Sequence, residues 1–274
     1  MTSPPENPAI FPEVLTLSTA QRVAAMLDIN PLSIVQGMAL PRGWHFPLMP
    51  ALTRKSNIRG DGFPGLGVPL PDLGLPRLML GGRTVSWHHD LIIGQAVERR
   101  STLIDIVHKG EGDKAMAIVK IGHELFQRAA SPAITEQQTY IMMAGTRRFQ
   151  PMEVAEIPVQ ADHIATYVPD STMLFQYSAL GFNSHRIHLD RTYAREVEGF
   201  PDLVVNGGLA TLLLTEFVRT GLKLELKSLK MKNLVPLFCD RPLTIAASRA
   251  GDLWEVRVHD DKGQLAATTE VATT

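Results

Sequence analysis

Proton chemistry in this chain points first to Asn183-Ser184-His185-Arg186-Ile187-His188-Leu189-Asp190. Two imidazoles three positions apart stand beside a carboxamide, and imidazole is the side chain best suited to proton transfer near neutral pH. Either His185 or His188 could serve as a general base. Asp190 could orient His188 from two residues away, but an Asp there better suits a solvent-facing helix N-terminus. A catalytic zinc would need a third ligand and a structural zinc a fourth. Cys239 is the chain's one cysteine and is remote in sequence, so no metal is expected. Residue types alone leave open an ordinary surface loop with incidental histidines.

Asn206-Gly207-Gly208 forms a second candidate. Leu209, Ala210, Leu212, Leu213, Leu214, Phe217 and Val218 follow it and leave almost no polar face, as in a helix buried all round. Such a helix from Gly207 to Thr220 would run roughly 21 Å. Its first N–H groups lack intrahelical partners and its dipole favours negative charge. Asn206 suits an N-cap and the glycines admit close approach of a ligand. This arrangement could hold the oxygen of a thioester carbonyl, or it could be an ordinary capped helix start. Leu222 to Met231 alternates Leu with Lys or Glu, a strand pattern, which suggests a sheet wrapped around the helix.

The run YSALGFNSHRIHLDRTYA, followed by GFPDLVVNGGLATLL, resembles the hydratase signature of the hot-dog superfamily. Members are the MaoC-like (R)-specific enoyl-thioester hydratases and dehydratases. By that resemblance His188 falls on the catalytic His, Asn183 on the usual Asp and His185 on the usual Asn. Gly207 falls on the glycine whose amide receives the thioester oxygen. Asn183 cannot ionise, which points to a subgroup similar to the mitochondrial-type 3-hydroxyacyl-thioester dehydratases. Asn206 stands where many relatives carry His. LPRGWHFPLMPAL, LGLPRLMLGGRTVSW and VERRSTLIDI resemble the first half of that subgroup, so the likeness spans nearly the whole chain.

The resemblance implies an α+β double hot dog, two modules each with an antiparallel sheet wrapped around a central helix. An N-terminal module over 1–145 would be degenerate and form a substrate-binding wall. A linker would span 146–160, and a module over 161–274 would carry the catalytic motif. The implied reaction is addition of water to a 2-enoyl-CoA. The implied substrate is a branched C5 dicarboxylyl ester, itaconyl-CoA or mesaconyl-C4-CoA, giving citramalyl-CoA. His188 would take the water proton, Asn183 would orient the water, and Gly207 N–H would hold the thioester oxygen. His185, Arg186, Asn206, Gly208 and Trp44 would line the substrate. A free carboxylate wants Arg, and Arg54, Arg83 and Arg186 are candidates. No cofactor is expected, because coenzyme A belongs to the substrate. The alternatives are a 3-hydroxyacyl-thioester dehydratase of fatty-acid metabolism and, in another class, a non-catalytic acyl-thioester-binding protein.

Further elements follow from local pattern. Pro4, Pro5, Pro8 and Pro12 make residues 1–15 an extended lead-in. Ser18 or Thr19 can cap a helix to about Ile29, stopped by Pro31. Gln36 to Leu52 reads as a short helix plus core or pocket wall around Trp44. Arg54 to Pro76 is a Gly/Pro-rich irregular loop, either a substrate-covering lid or a surface insertion. Strands are expected over 83–87, 96–108, 115–127 and 133–143, then near 222–233, 241–249, 253–259 and 264–272. Similar strand spacing in the two halves suggests duplication. Lys223, Lys227, Lys230 and Lys232 suit a solvated face or contacts to CoA phosphates.

The chain has 274 residues, 45% hydrophobic and 20% charged, with a formal net charge of −1. That composition is ordinary for a globular protein and gives no bulk attraction to nucleic acid or anionic membrane. Its single cysteine excludes an internal disulfide and fits a reducing cytoplasm. The N-terminus has no basic n-region of a secretory signal, and no apolar run is long enough to span a bilayer. The expected partner is an acyl-CoA, without nucleic acid or membrane; a homodimer is left open.

Overall fold

A computed structural model describes residues 8–49, 51–128, 130–145 and 155–274. The first seven residues of the Pro-rich lead-in, and 146–154 of the expected linker, lie outside them.

Among the described residues ten strands form one antiparallel sheet. They are β1 (Ala9–Val14), β2 (Arg77–Trp87), β3 (Ala96–Lys109), β4 (Met116–Phe126), β5 (Ile134–Met143), β6 (His163–Tyr167), β7 (Leu226–Asn233), β8 (Leu243–Ala250), β9 (Leu253–His259) and β10 (Leu265–Thr273). Their order is β1-β3-β4-β5-β2-β7-β10-β9-β8-β6. Strands from the first half of the chain thus occupy one side, and those from the second half the other. The β2–β7 pairing, Gly82 opposite Lys232 through Ser86 opposite Ser228, joins the two sides. Helices are α1 (Leu17–Met26), α2 (Ser171–Leu180) and α3 (Gly207–Glu216), the last continuing through a wider turn, Phe217–Gly221.

The apolar run after Gly208 becomes the core helix that its composition requires. Leu209, Leu212, Leu213 and Leu214 are fully buried, in one cluster with Leu226, Leu229, Leu243, Ile245, Val256, Val258 and Val271 from β7 to β10. Each buried Leu contributes about 1.5–3 kcal/mol relative to exposure. Glu216 is the one charged side chain of α3. Its carboxylate accepts from Trp44 Nε1 at 2.6 Å and pairs with Arg219 Nη2 at 2.6 Å.

Over the first-half strands, a loop takes up the packing. Leu103, Ala117, Val119, Ile121 and Met142 pack with Leu75 and with Leu66, Val68, Leu70 and Leu73 of the irregular stretch. Between this patch and the main core, the same strand face carries polar side chains. Arg83, Arg99, Ser101, His123, Glu136 and Gln138 are all buried, in phase with apolar neighbours such as Val85, Val97, Leu125 and Ile134.

Several local expectations are corrected. The first helix starts at Leu17 with Thr16 as cap, its Oγ1 accepting from Thr19 N at 3.2 Å. It ends at Met26, and Asp28 turns the chain with φ +58° before Pro31 is reached. Gln36 to Leu52 holds no longer helix than the turn Phe46–Leu48. β2 begins at Arg77 rather than Arg83, because Gly81-Gly82 makes a bulge inside the strand rather than its start. A Cβ at Gly82 would meet Met231 O at 2.4 Å, so the close β2–β7 approach needs glycine there. The edge strands β1 and β6 and the helix α2 add elements beyond those read from the sequence; Asp170 caps α2 by accepting from Met173 N at 2.7 Å. Among the described residues no helix is long and apolar enough to cross a membrane.

Candidate active site

The segment after α2 turns back toward α3 and brings the two histidines inside. Asn183 Oδ1 accepts from His185 N at 3.1 Å, closing a tight turn that leaves its Nδ2 as the remaining amide group. A short helical turn, Arg186–His188, then buries Ile187 and His188. His188 Nδ1 lies 2.7 Å from Val204 O. A carbonyl only accepts, so Nδ1 carries the proton and Nε2 is left with the lone pair of a base. Burial, reinforced by the neighbouring His185, pushes the His188 pKa down to about 3. The imidazole is therefore neutral across the physiological range, with its Nε2 lone pair free. Asp190 does not orient it. Its carboxylate accepts from Tyr193 N at 2.9 Å and from Arg186 Nη2 at 2.7 Å, the capping role.

His185 is also buried, its ring edge-on to His188 with centroids 5.5 Å apart. Burial lowers its pKa to about 4, against the opposing pull of Asp61. Asp61 comes from the irregular loop, with Oδ2 3.7 Å from His185 Nε2.

The buried run Leu203-Val204-Val205 leads into α3, whose start faces the same space. Asn206 sits at the helix N-cap position but does not cap with its side chain. Its Nδ2 donates to Ser178 Oγ at 3.2 Å, while Oδ1 is buried without a hydrogen-bond partner. Gly207 is the first helical residue, so its N–H has no intrahelical acceptor. A Cβ at Gly208 would fall 2.0 Å from Tyr177 Oη. Gly208→Ala should therefore displace the Tyr177 ring and lower stability by ~1–3 kcal/mol, measured by denaturant unfolding, as for an overpacked core.

These groups line one cavity of ≈ 1010 Å³: Asn183, His185 and His188, then Asn206, Gly207 and Gly208, and from the first-half strands Arg83, Arg99, His123, Gln138 and Tyr140. Apart from Arg83, the polar residues of this strand face were not singled out from sequence. Their signal was Glu136 and Gln138 standing in phase with Ile134 and Met142 in an alternating strand. Glu136 is fully buried. Its Oε1 accepts from Gln138 Nε2 at 2.8 Å, and its Oε2 lies 3.2 Å from His45 Nε2. Burial opposes its ionisation, but Arg83 and His45 prevail and hold the carboxyl down at about 2. Arg83 Nη1 is 3.2 Å from Glu136 Oε1, too far off line for a hydrogen bond, and the contact is ionic. Arg83 Nε is buried with no hydrogen-bond partner, and the guanidinium stacks 4.3 Å from the Phe46 ring centroid.

Three candidates lie off the cavity. Trp44 is fully buried in the core and spends its N–H on Glu216. Arg54 is exposed on the loop. Arg186 faces outward, paired with Asp190 and stacked 4.1 Å over Tyr193. Lys223, Lys227, Lys230 and Lys232 are all exposed and none lines the cavity, the solvated-face arrangement. No group of three His, Cys, Asp or Glu side chains among the described residues could hold a metal ion.

Residues 43–239 match the model of the hydroxyacyl-thioester dehydratase type 2 family. The chain belongs to this family. Mesaconyl-C(4)-CoA hydratase of Chloroflexus aurantiacus is 32% identical over 256 residues, covering 92% of this chain and 91% of that one. The mitochondrial hydroxyacyl-thioester dehydratase type 2 of Schizosaccharomyces pombe is 26% identical, over 81% of this chain and 82% of its own. The fold matches a MaoC-like dehydratase from Phytophthora capsici with TM-score 0.70 and 13% identity, covering 98% and 96% of the two chains. HtdX of Mycobacterium tuberculosis matches with TM-score 0.65 and 12% identity, covering 97% and 100%. The architecture is thus the MaoC-like hot-dog fold. As a type 2 dehydratase family member the protein is a hydro-lyase, and the non-catalytic binding module is set aside.

The buried titratable groups make this type 2 family member acid-sensitive. His123 is held at about 4 by burial, His185 at about 4, His188 at about 3 and Glu136 at about 2. Each folded-state pKa lies below its unfolded value, so the unfolded chain binds more protons as pH falls. Stability is complete above the ordinary imidazole pKa of ~6.5 and is lost below it, first through the histidines and then, under ~4.5, through Glu136. By pH 5 each of the three histidines should have cost ~2 kcal/mol. Thermal unfolding between pH 7.5 and 5 should show a steep fall in Tm. A flat profile would contradict neutral burial of these side chains.

Proposed function

We propose that the protein adds water to a 2-enoyl-CoA whose acyl group carries a second, free carboxylate. The substrate is a branched C5 dicarboxylyl ester and the product citramalyl-CoA. Mesaconyl-C4-CoA is hydrated directly, whereas itaconyl-CoA, whose double bond joins C3 to its methylene, must first lose a C2 proton and gain one at the methylene. The two halves of the sheet act as a double hot dog, the second half bearing the proton chemistry and the first supplying the acyl-binding wall. His188 Nε2 takes one proton from water, Asn183 orients that water, and the hydroxide adds at C3. The double-bond electrons move to C2 and onto the thioester oxygen, where the Gly207 N–H receives the developing charge. The imidazolium then returns its proton to C2. Atoms and charge balance without a cofactor.

One observation carries the substrate class. The Arg83 side chain is only 6% exposed and lines the same cavity as His188. A buried guanidinium in the cavity wall suits a carboxylate, which accepts from planar Arg in a fork. The 32% identity to a mesaconyl-C(4)-CoA hydratase supports the same reading.

Cavity size favours a second reading. A volume of ≈ 1010 Å³ with apolar walls at Leu80, Ile141 and Leu237 would also take a longer acyl chain. That reading is a 3-hydroxyacyl-thioester dehydratase of fatty-acid metabolism. Comparing kcat/KM for mesaconyl-C4-CoA and itaconyl-CoA with that for crotonyl-CoA separates the two. The C5 reading expects preference for a dicarboxylyl ester; preference for crotonyl-CoA would transfer the protein to the second.

A further inference from the structure

We propose that Asp61, carried by the irregular 54–76 loop, is the positioning carboxylate of the histidine pair, holding His185 against His188. The inference rests on the hydratase reading above and adds a residue to it.

The need for such a group is local. His185 and His188 stand ring to ring in the cavity wall, and neither acidic position of their own segment serves them. Position 183 holds an amide whose oxygen is taken by His185 N at 3.1 Å. Asp190 is bound by Arg186 and by the Tyr193 amide. The carboxylate that does reach the pair arrives from more than a hundred residues away in sequence.

Its placement is fixed by main-chain contacts rather than by one side-chain rotamer. Arg186 N donates to Asp61 O at 2.8 Å, and Ser184 Oγ donates to Gly62 O at 2.6 Å. Gly62 has φ +81°, and a Cβ there would lie 2.2 Å from Ser184 O. The loop can press this closely on the histidine segment only because residue 62 is glycine. The Phe63 ring then packs edge-on to His185 with centroids 5.5 Å apart. Within this clamp Asp61 Oδ1 accepts from Phe63 N at 2.9 Å. Its Oδ2 accepts from Arg59 Nη2 at 2.7 Å and stands 3.7 Å from His185 Nε2.

The charged and titratable groups facing His185 are therefore Asp61 and Arg59 from the loop and His188 from its own segment; the Tyr193 hydroxyl also feels Asp61. A carboxylate on the Nε2 side favours the Nε2–H tautomer of a neutral imidazole. It also offsets the positive charge that appears when His188 takes a proton from water. Asp61 donates nothing to the substrate. It acts through His185, much as a carboxylate orients an imidazole in other acid–base sites.

Asp61→Asn removes the charge and keeps an oxygen for Phe63 N, so the loop clamp survives. The expected result is a fall in kcat of roughly 10- to 100-fold, with KM nearly unchanged and partial recovery in Asp61→Glu. Nitrogen-15 shifts of the His185 ring at pH 7 should show Nε2–H in the wild type and a mixed tautomer in Asp61→Asn. A variant with wild-type kcat, an equal loss in Asp61→Glu, or an unchanged His185 tautomer would overturn the proposal. The ring shifts are read without turnover. If the wild type hydrated no enoyl-CoA, the functional reading would fail while the tautomer still decided the Asp61 pairing.

Discussion

His188→Ala is expected to lower turnover by at least ~100-fold, the usual worth of a positioned general base, while the protein stays folded. The side chain is the one imidazole of the pair whose tautomer is set by a carbonyl, with Val204 O at 2.7 Å, so Nε2 is committed to accepting a proton. Its pKa of about 3 means that kcat/KM should not show an acid limb near 6.5; His188 stays neutral well below that pH. The substitution also removes one of the groups that penalise the folded state in acid, so the variant should lose less Tm than wild type between pH 7 and 5. Stopped-flow or steady-state hydration, with unfolding curves on the same samples, checks both halves. A folded variant losing less than tenfold would move the base elsewhere, with His185 next in line.

Removing the buried cation that shares the cavity with the histidines should redirect specificity. Arg83 cannot be replaced alone without ambiguity. Glu136 has no exposed side-chain surface, and a buried carboxylate stripped of its cation costs ~3–5 kcal/mol. The paired variant Arg83→Met with Glu136→Gln removes both charges and keeps an acceptor for Gln138. It should fold. Its kcat/KM for a C5 dicarboxylyl ester should fall ~10- to 100-fold, the worth of a hydrogen bond to a charged group. Crotonyl-CoA, which has no second carboxylate, should be affected by less than about threefold. Equal losses on both substrates would make Arg83 a structural cation and return the acyl specificity to the apolar walls.

Much of the second half was legible because one physical signal dominated there. A helix with no polar face, from Leu209 to Val218, has to be wrapped, and the alternating strands after it do the wrapping. The His188 and Gly207 positions followed from motif resemblance, and both line one cavity. The first half was harder. Gly81-Gly82 reads locally as a strand end, whereas the bulge it makes only has meaning beside Met231. Glu136 and Gln138 alternate in the inward phase, but a lone sequence does not say that Arg83 and His45 arrive to satisfy Glu136, or that Tyr140 donates to Gln138. Trp44, Arg54 and Arg186 were chosen by residue type, and type does not reveal which face a side chain takes. Asp61 looked like one more polar residue of a Gly/Pro loop, since its contacts with residues 185 and 186 depend on how the chain folds back.

The most direct test is mass spectrometry of mesaconyl-C4-CoA and itaconyl-CoA incubated with the wild-type protein in ordinary and oxygen-18 water. The mechanism predicts conversion to a species heavier by one water, carrying the label on the new hydroxyl, at a rate at least ~100-fold lower with His188→Ala. Unchanged thioester, or label appearing instead in a free acid released by thioester cleavage, would contradict hydration at this site.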